Sequence, residues 1–394
     1  MLHLRVTQRK QIFFLLLPAL VATALASACS RNPFDPNVSE SRNEKLFRYT
    51  SVLEGETIWQ LAVASAPDGK IAAVVATDYR EMKIVESSAG TWNTISTISG
   101  GGLHPSHLSI APGPAGAWWV LASDTDTGMK LYRIGGTGDS TLVIPTYNSV
   151  AWDSLNHSAV ASDGQGRPIA IMHAGGLGFI RAALTDTGWT HSQIQETGLY
   201  SILDDFAIDA LGREHILFHR SDIAPGEYIR SDNDSTITLF IPNSDFNLAL
   251  TVSTNGFPFV AGSVDYQDNL LIWQLLDSNE VGVFWVSETL SLLEHELYVG
   301  NFDICIDSDH QPYVAFAVWE SASNFGVYLA MRDPGANIGW STIPVVEGLS
   351  RIGATNRMKI FRMVKDPMDD IHVFYVNGAT GSSVSGLWEA VPIS

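Results

Sequence analysis

The sequence predicts an all-β fold, a seven-bladed β-propeller of four-stranded antiparallel blades closed into a ring by an N-terminal strand. Three observations predict it. A phrase made of an apolar run, a turn rich in Asp and Gly and a second apolar run occurs seven times: LAVASAPDGKIAAVV, LSIAPGPAGAWWVL, AVASDGQGRPIAIM, FAIDALGREHILF, LALTVSTNGFPFVAG, ICIDSDHQPYVAF and FRMVKDPMDDIHVFY. The fourth residue of each turn (Gly69, Gly116, Gly166, Gly212, Gly256, His310 and Asp369) recurs every 44 to 59 residues, the length of one four-stranded blade. Side-chain size is also patterned. Six residues before these anchors stand Val63, Ile110, Val160, Phe206, Leu250, Ile304 and Met363, whereas five before stand the mostly small Ala64, Ala111, Ala161, Ala207, Thr251, Cys305 and Val364. Adjacent strand residues face opposite ways, so each first strand has a bulky and a flat face, which suits sheets crowded around an axis.

The elements follow in chain order. Arg5, Arg9 and Lys10, an apolar run from Ile12 to Leu25, and Ala26-Ser27-Ala28 make residues 1–28 a secretory signal peptide, too short and one-sided to span a membrane. Residues 29–44 are polar, Pro-bearing and aperiodic, and read as a tether. Residues 45–394 are the propeller domain. Its first strand, LFRYTSVLEG at 46–55, precedes the first repeat and has no blade of its own. Each repeat then supplies strands before and after its turn, a third such as LYRI, FIRA, YIRS, LIWQ or VYLAM, and a fourth opening on Trp92, Trp189 or Trp340 or reading STLVIP or STITLFIP. His310 and Asp369 replace glycine in the last two turns, where Asp and His tolerate positive φ. The seventh repeat offers FRMV, IHVFYV and SGLWEAV, one strand short, so the 46–55 strand is expected to complete it and remove its open edge.

The Leu-Ala-Ser-Ala-Cys stretch resembles the lipobox of bacterial lipoproteins, with Ala26 where that family more often has Leu. The resemblance implies a lipidated Cys29, an acyl anchor on the cell envelope and, because Ser30 is not Asp, the outer rather than the inner membrane; cleavage without lipidation would give a secreted protein. Residues 46–394 resemble bacterial secreted seven-bladed propellers, including lectin-like ones with Asp-x-x-Gly blade turns. Trp152-Asp153 does not recur per blade as in WD40 proteins, Gly175-Gly176 with Trp189 is a single kelch-like echo, and the sialidase Asp-box is missing.

Charge and motifs narrow the function. The chain holds 23 Lys and Arg against 42 Asp and Glu, which opposes phosphate-backbone binding and hence nucleic acid. Neither a Gly-x-Ser-x-Gly elbow nor a paired-His zinc motif occurs, and GGG at 100–102 and GGLG at 175–178 are loops, so no cofactor is indicated. Asp124, Asp126 and Gly128, like Asp307 and Asp309, read as solvated turns and not as calcium ligands. Glycosidase chemistry would draw on Arg80, Arg220, Arg351 and Arg357 with Tyr147, Asp204, Asp205 and Glu294, all placed in loops. Without a pair for Cys305 after lipidation of Cys29, no disulfide is expected. His215 and His372, three residues after their anchors, read as structural.

One register points to a face. Nine residues before the anchors stand Gln60, His107, His157, Leu203, Asn247, Asn301 and Ile360, five of them hydrogen-bonding, at the start of the first strands and so around one mouth of the channel. The connections arriving there carry His104, Tyr147, Trp152, Tyr200, Tyr298 and Arg351. Amide, imidazole and aromatic groups at a rim suit a sugar or a peptide, and the same side chains also serve to cap strand ends. The sequence therefore predicts a monomeric, non-catalytic propeller that binds an envelope protein or a glycan at its channel mouth, with a glycan-active hydrolase or lyase and a pure scaffold as alternatives.

Overall fold

The computed structural model describes residues 46–78, 80–88, 90–100, 103–124, 128–150, 152, 158–195, 201–220, 223–232, 235–241, 248–263, 269–278, 282–291, 297–319, 324–332, 339–350, 361–377 and 385–393. Residues 1–45, with the expected signal and tether and Cys29, lie outside them.

The described residues form seven four-stranded antiparallel sheets. Blade 1 comprises β2 (Gln60–Ser65), β3 (Ile71–Asp78), β4 (Glu81–Ser88) and β5 (Thr91–Ser99). Blade 2 comprises β6 (Leu103–Pro112), β7 (Ala117–Asp124), β8 (Gly128–Gly135) and β9 (Ser140–Val143), and blade 3 comprises β10 (Ala159–Ser162), β11 (Pro168–Ala174), β12 (Gly178–Thr185) and β13 (Gly188–Gln195). Blade 4 comprises β14 (Ser201–Ile208), β15 (Glu214–Arg220), β16 (Ile223–Asp232) and β17 (Ser235–Phe240), and blade 5 comprises β18 (Ala249–Val252), β19 (Pro258–Ser263), β20 (Asn269–Ser278) and β21 (Gly282–Ser291). Blade 6 comprises β22 (Leu297–Ile306), β23 (Pro312–Trp319), β24 (Asn324–Arg332) and β25 (Trp340–Ser350). Blade 7 holds β26 (Phe361–Lys365), β27 (Ile371–Asn377) and β28 (Gly386–Pro392), and its fourth strand is β1 (Phe47–Glu54). Residues from near both ends of the chain thus share one sheet, with Phe47 opposite Pro392 and Glu54 opposite Gly386.

Each turn closes as its sequence requires. All seven anchors have positive φ, from 62° at His310 and 69° at Asp369 to 86° at Gly69. At Gly256 an added Cβ would meet the Arg213 guanidinium and the Asp209 carboxylate, so glycine is needed there for space as well as conformation. Where the turn begins with Asp, its carboxylate accepts backbone N–H groups across the turn: Asp163 from Gln165 and Arg167, Asp209 from Leu211 and Arg213, Asp366 from Met368 and Asp370.

The bulky and flat faces meet between blades. Ala62 and Ala64 of blade 1 pack against Leu108 and Ile110 of blade 2, Ala111 against Val160, Ala161 against Phe206, Ala207 against Leu250, Cys305 against Met363, and Val364 against Val63. Small opposite large lets successive sheets approach closely at the axis, where a ring is most crowded.

The seams between blades alternate in kind. Seven residues before its anchor, each even blade carries a polar residue that bonds the backbone of the next blade's first strand: Ser109 Oγ accepts Val160 N–H at 3.0 Å, Asp205 accepts Leu250 N–H at 3.1 Å, and Asp303 accepts Met363 N–H at 2.7 Å. The odd blades have Ala62, Ala159, Ala249 and Arg362 at that position. Their seams are tied farther out, each through a carboxylate: Trp118 Nε1 to Glu86 at 2.7 Å, Arg181 to Glu214 at 2.6 Å, Arg332 to Glu288 at 2.8 Å and Trp92 Nε1 to Glu389 at 3.0 Å. The first strand pairs of blades 2, 4 and 6 also share a register shift that those of blades 1, 3, 5 and 7 lack.

Candidate functional site

The seven first strands enclose an axial channel of about 520 Å³. They all run from the mouth, where the connections between blades arrive, toward the ring of anchor turns. Gln60, His107, Ser158 and Asp204 line the channel toward the mouth, on blades 1 to 4 in succession. Asp205, Asp303 and Arg362 lie deeper, and Asp209, Asp307 and Lys365 mark the turn end.

Of the residues singled out by sequence, Gln60 and His107 therefore line the channel. His157, Asn247, Tyr200, Arg351, Arg357 and Glu294 lie outside the described residues, as do the side chains of Asn301, Tyr298, His104 and Arg220. Trp152 stands elsewhere. It is 5% exposed in the core between blades 2 and 3, donates Nε1–H to the Ile144 carbonyl at 3.2 Å and stacks on His191. Tyr147 packs against the same cluster, and neither aromatic belongs to the channel lining. Ile144 and Trp152, both on the described part of the connection after β9, are buried in that core.

Asp204 and Asp205 correct the loop reading, since both belong to β14. The pairing of β14 with β15 slips between Leu203 and Asp205, an inserted residue of the β-bulge kind. The slip turns Leu203 into the core position that Leu61 and Leu108 fill in blades 1 and 2, and it delivers Asp204 to the channel. Counting from the anchor could not see an insertion inside a strand. Asp204 Oδ2 meets His219 Nδ1 at 2.7 Å, with side chains 3% and 5% exposed. Asp205 is taken up by structure, accepting N–H from Phe206 and Leu250. Ser158 is 8% exposed, and its Oγ has no hydrogen-bond partner.

His215 and His372 are buried within the blades. His215 is fully buried, with Nδ1 2.6 Å from the Tyr228 hydroxyl and Nε2 3.1 Å from Asp209, whose carboxylate also takes Arg213 Nε at 2.6 Å. Burial drives the His215 pKa down to about 4 against the opposing pull of Asp209. Burial would raise the Asp209 pKa, but hydrogen bonds from the Arg213 backbone and side chain and from His215 outweigh it, and the net direction is down. With His215 neutral, its hold on Asp209 is that of a hydrogen-bond donor. The neutral imidazole stabilises the folded state by up to about 3 kcal/mol above pH 6.5, and that contribution is lost as pH falls from about 6.5 to 4, where the unfolded chain binds the extra proton. An NMR titration of the folded protein should find His215 uncharged at pH 6, and a charged imidazole there would contradict the assignment. His372 differs: its Nδ1 lies 2.6 Å from Glu389, whereas its buried Nε2, 3.5 Å from Asp366, makes no hydrogen bond.

Asp124 departs from the solvated-turn expectation: it is 2% exposed and paired with Lys130 at 2.7 Å. Asp307 caps its own turn, accepting Gln311 N–H and the Tyr313 hydroxyl at 3.2 Å. Among the described residues no group of three His, Cys, Asp or Glu gathers to hold a metal ion. Cys305 is a buried free thiol whose pKa burial pushes up to about 12.

The architecture is that of a seven-bladed β-propeller closed by its N-terminal strand. No protein-family model and no curated protein matches the chain. Among solved structures it is similar to AofleA from Arthrobotrys oligospora, with 10% identity over 78% of this chain and 94% of that one at a TM-score of 0.50, a likeness of fold alone. A protein from Lactobacillus plantarum follows at 14% identity, 76% and 85% coverage and a TM-score of 0.49. Aleuria aurantia lectin bound to α-methyl-L-fucoside gives 11% identity, 73% and 97% coverage and 0.46. Similarity at these last two levels carries no functional weight.

Proposed function

We propose that this propeller is a non-catalytic binding protein whose channel-mouth face takes a glycan, and that it works outside the cytoplasm on a lipid anchor at Cys29. The observation that carries the binding reading is the axial channel with residues bearing an amide, an imidazole, a hydroxyl and a carboxylate on four successive blades toward its mouth. A concave site with a few convergent polar groups fits a sugar unit, whereas a protein partner needs a broad, flat surface. The segment ending in Ala26-Ser27-Ala28-Cys29 supports the address.

A glycan array probed with the full chain tests the function. Binding to a defined oligosaccharide that weakens tenfold or more in Gln60→Ala with His107→Ala is the expected result, at about 1.4 kcal/mol per tenfold. Binding untouched by that pair moves the site elsewhere. Turnover of a labelled glycan, lost on removing Asp204, would favour a hydrolase instead, and capture of an envelope protein with no glycan bound would replace the ligand class. Cys29→Ser should release the protein from membranes, and retention there would refute the anchor.

A further inference from the structure

Acidic residues outnumber basic ones in the channel lining: Asp204, Asp205, Asp209, Asp303 and Asp307 against Arg362 and Lys365, with Asp209 paired to Arg213 and Asp303 near Arg362. Four of these carboxylates are committed to the fold. Asp205 and Asp303 each accept two backbone N–H groups, and Asp209 and Asp307 cap turns. Asp204 is different. Its side chain is 3% exposed, its Oδ2 is held by His219, and a carboxylate has further lone pairs to offer through Oδ1. On the adjacent blade, immediately before β10, stands Ser158, more than nine-tenths buried, lining the same channel with an Oγ that has no partner. Strands β10 and β14 pack side by side.

A buried hydroxyl without a partner is unfavourable until something enters to bond it. A group that bonds Asp204 must donate, because a carboxylate only accepts, and the excess of acidic over basic lining residues favours a cation. A hard metal ion needs six to eight oxygens, more than this pair supplies. We infer that the mouth end of the channel takes a primary ammonium group, that of an amino sugar with a free amine, held by the Asp204 carboxylate and the Ser158 hydroxyl. His219 is a positioning residue: its Nδ1–H occupies Oδ2 and leaves Oδ1 for the ligand. The inference rests on the glycan reading above and names the class of glycan.

Calorimetric titration of the full chain with a chitosan tetrasaccharide and with its fully N-acetylated counterpart tests it, since the two differ in ammonium against acetamide. The free amine should bind at least about tenfold more tightly, in keeping with a charge-assisted hydrogen bond. Asp204→Asn, which keeps an oxygen for His219 and removes the charge, should cancel that preference, and Ser158→Ala should weaken the amine several-fold with a melting temperature equal to or above that of the parent. Equal affinity for the two oligosaccharides overturns the inference, as does an undiminished preference in Asp204→Asn. If Asp204→Asn does not fold, Ser158→Ala and the oligosaccharide pair decide. Should neither chitosan nor its acetylated form bind while another glycan does so in a Gln60- and His107-dependent way, the ammonium inference fails and the mouth reading stands.

Discussion

A chain lacking residues 1–54 is expected not to fold, and one in which Phe47–Glu54 is reattached behind Ser394 is expected to fold again. The strand β1 supplies one full edge of blade 7, buries Phe47 and Val52 at 1% and 7% exposure, and ties blade 7 to blade 6 through the Tyr49 hydroxyl on the Val345 carbonyl at 2.6 Å. Two buried side chains are worth about 2 to 3 kcal/mol each, and the lost ladder and ring closure add to them. The sum approaches the 5 to 15 kcal/mol that separates most folded domains from their unfolded chains. The bare edge of β28 would also recruit other strands, so soluble aggregates should accompany the loss. In the permuted chain a few linking residues suffice, because Phe47 already lies opposite Pro392. Circular dichroism melts and size-exclusion profiles check both variants. A truncated chain that melted like the intact one would show that β1 does not close the ring.

Asp303→Ala is expected to destabilise by about 3 kcal/mol, the largest effect of any single seam substitution. The 5%-exposed carboxylate accepts Ile304 N–H at 3.1 Å and Met363 N–H at 2.7 Å and sits 3.7 Å from Arg362. Alanine would strand two buried donors and leave the guanidinium without its anion. Ser109→Ala, at the same position four seams earlier, deletes a neutral hydroxyl bonded to Val160 and should cost about 1 kcal/mol. The two sites share no partner, so the double variant should show the sum within about 0.5 kcal/mol. Urea unfolding of the three proteins measures it, and an Asp303→Ala loss no greater than that of Ser109→Ala would refute the ranking.

Much of the ring was legible because its causes are local. Positive φ at His310 and Asp369 followed from their place in the turn phrase, and the pairing of Ala111 with Val160 or Ala207 with Leu250 followed from two registers counted back from the anchors. The candidate site was legible only where that count held. Gln60 and His107 reached the channel, whereas the slip at Leu203 delivered Asp204 instead, and an inserted strand residue carries no turn signal to betray it. Trp152 misled for another reason. An aromatic in a connection reads as a rim residue, but Trp152 packs in one cluster with Met129 and Leu131, and burial of the indole outweighs its exposure to ligand. Asp205 and Asp303 look like ordinary charges in sequence, because the N–H groups they serve belong to strands 45 and 60 residues away.

Seams that alternate in kind make the true structural unit of this protein two blades, not one, and seven is an odd number. Blades 2 and 3, 4 and 5, and 6 and 7 form couples joined at the axis by Ser109, Asp205 and Asp303, which leaves blade 1 a bachelor between two peripheral ties, Glu86 with Trp118 and Trp92 with Glu389. Strict alternation of two kinds of seam closes only an even-numbered ring, so a ring of seven must set two peripheral seams side by side, and blade 1 is where they meet. Blade 1 therefore meets both neighbours through carboxylate ties at the periphery and through the apolar packing of β2 at the axis.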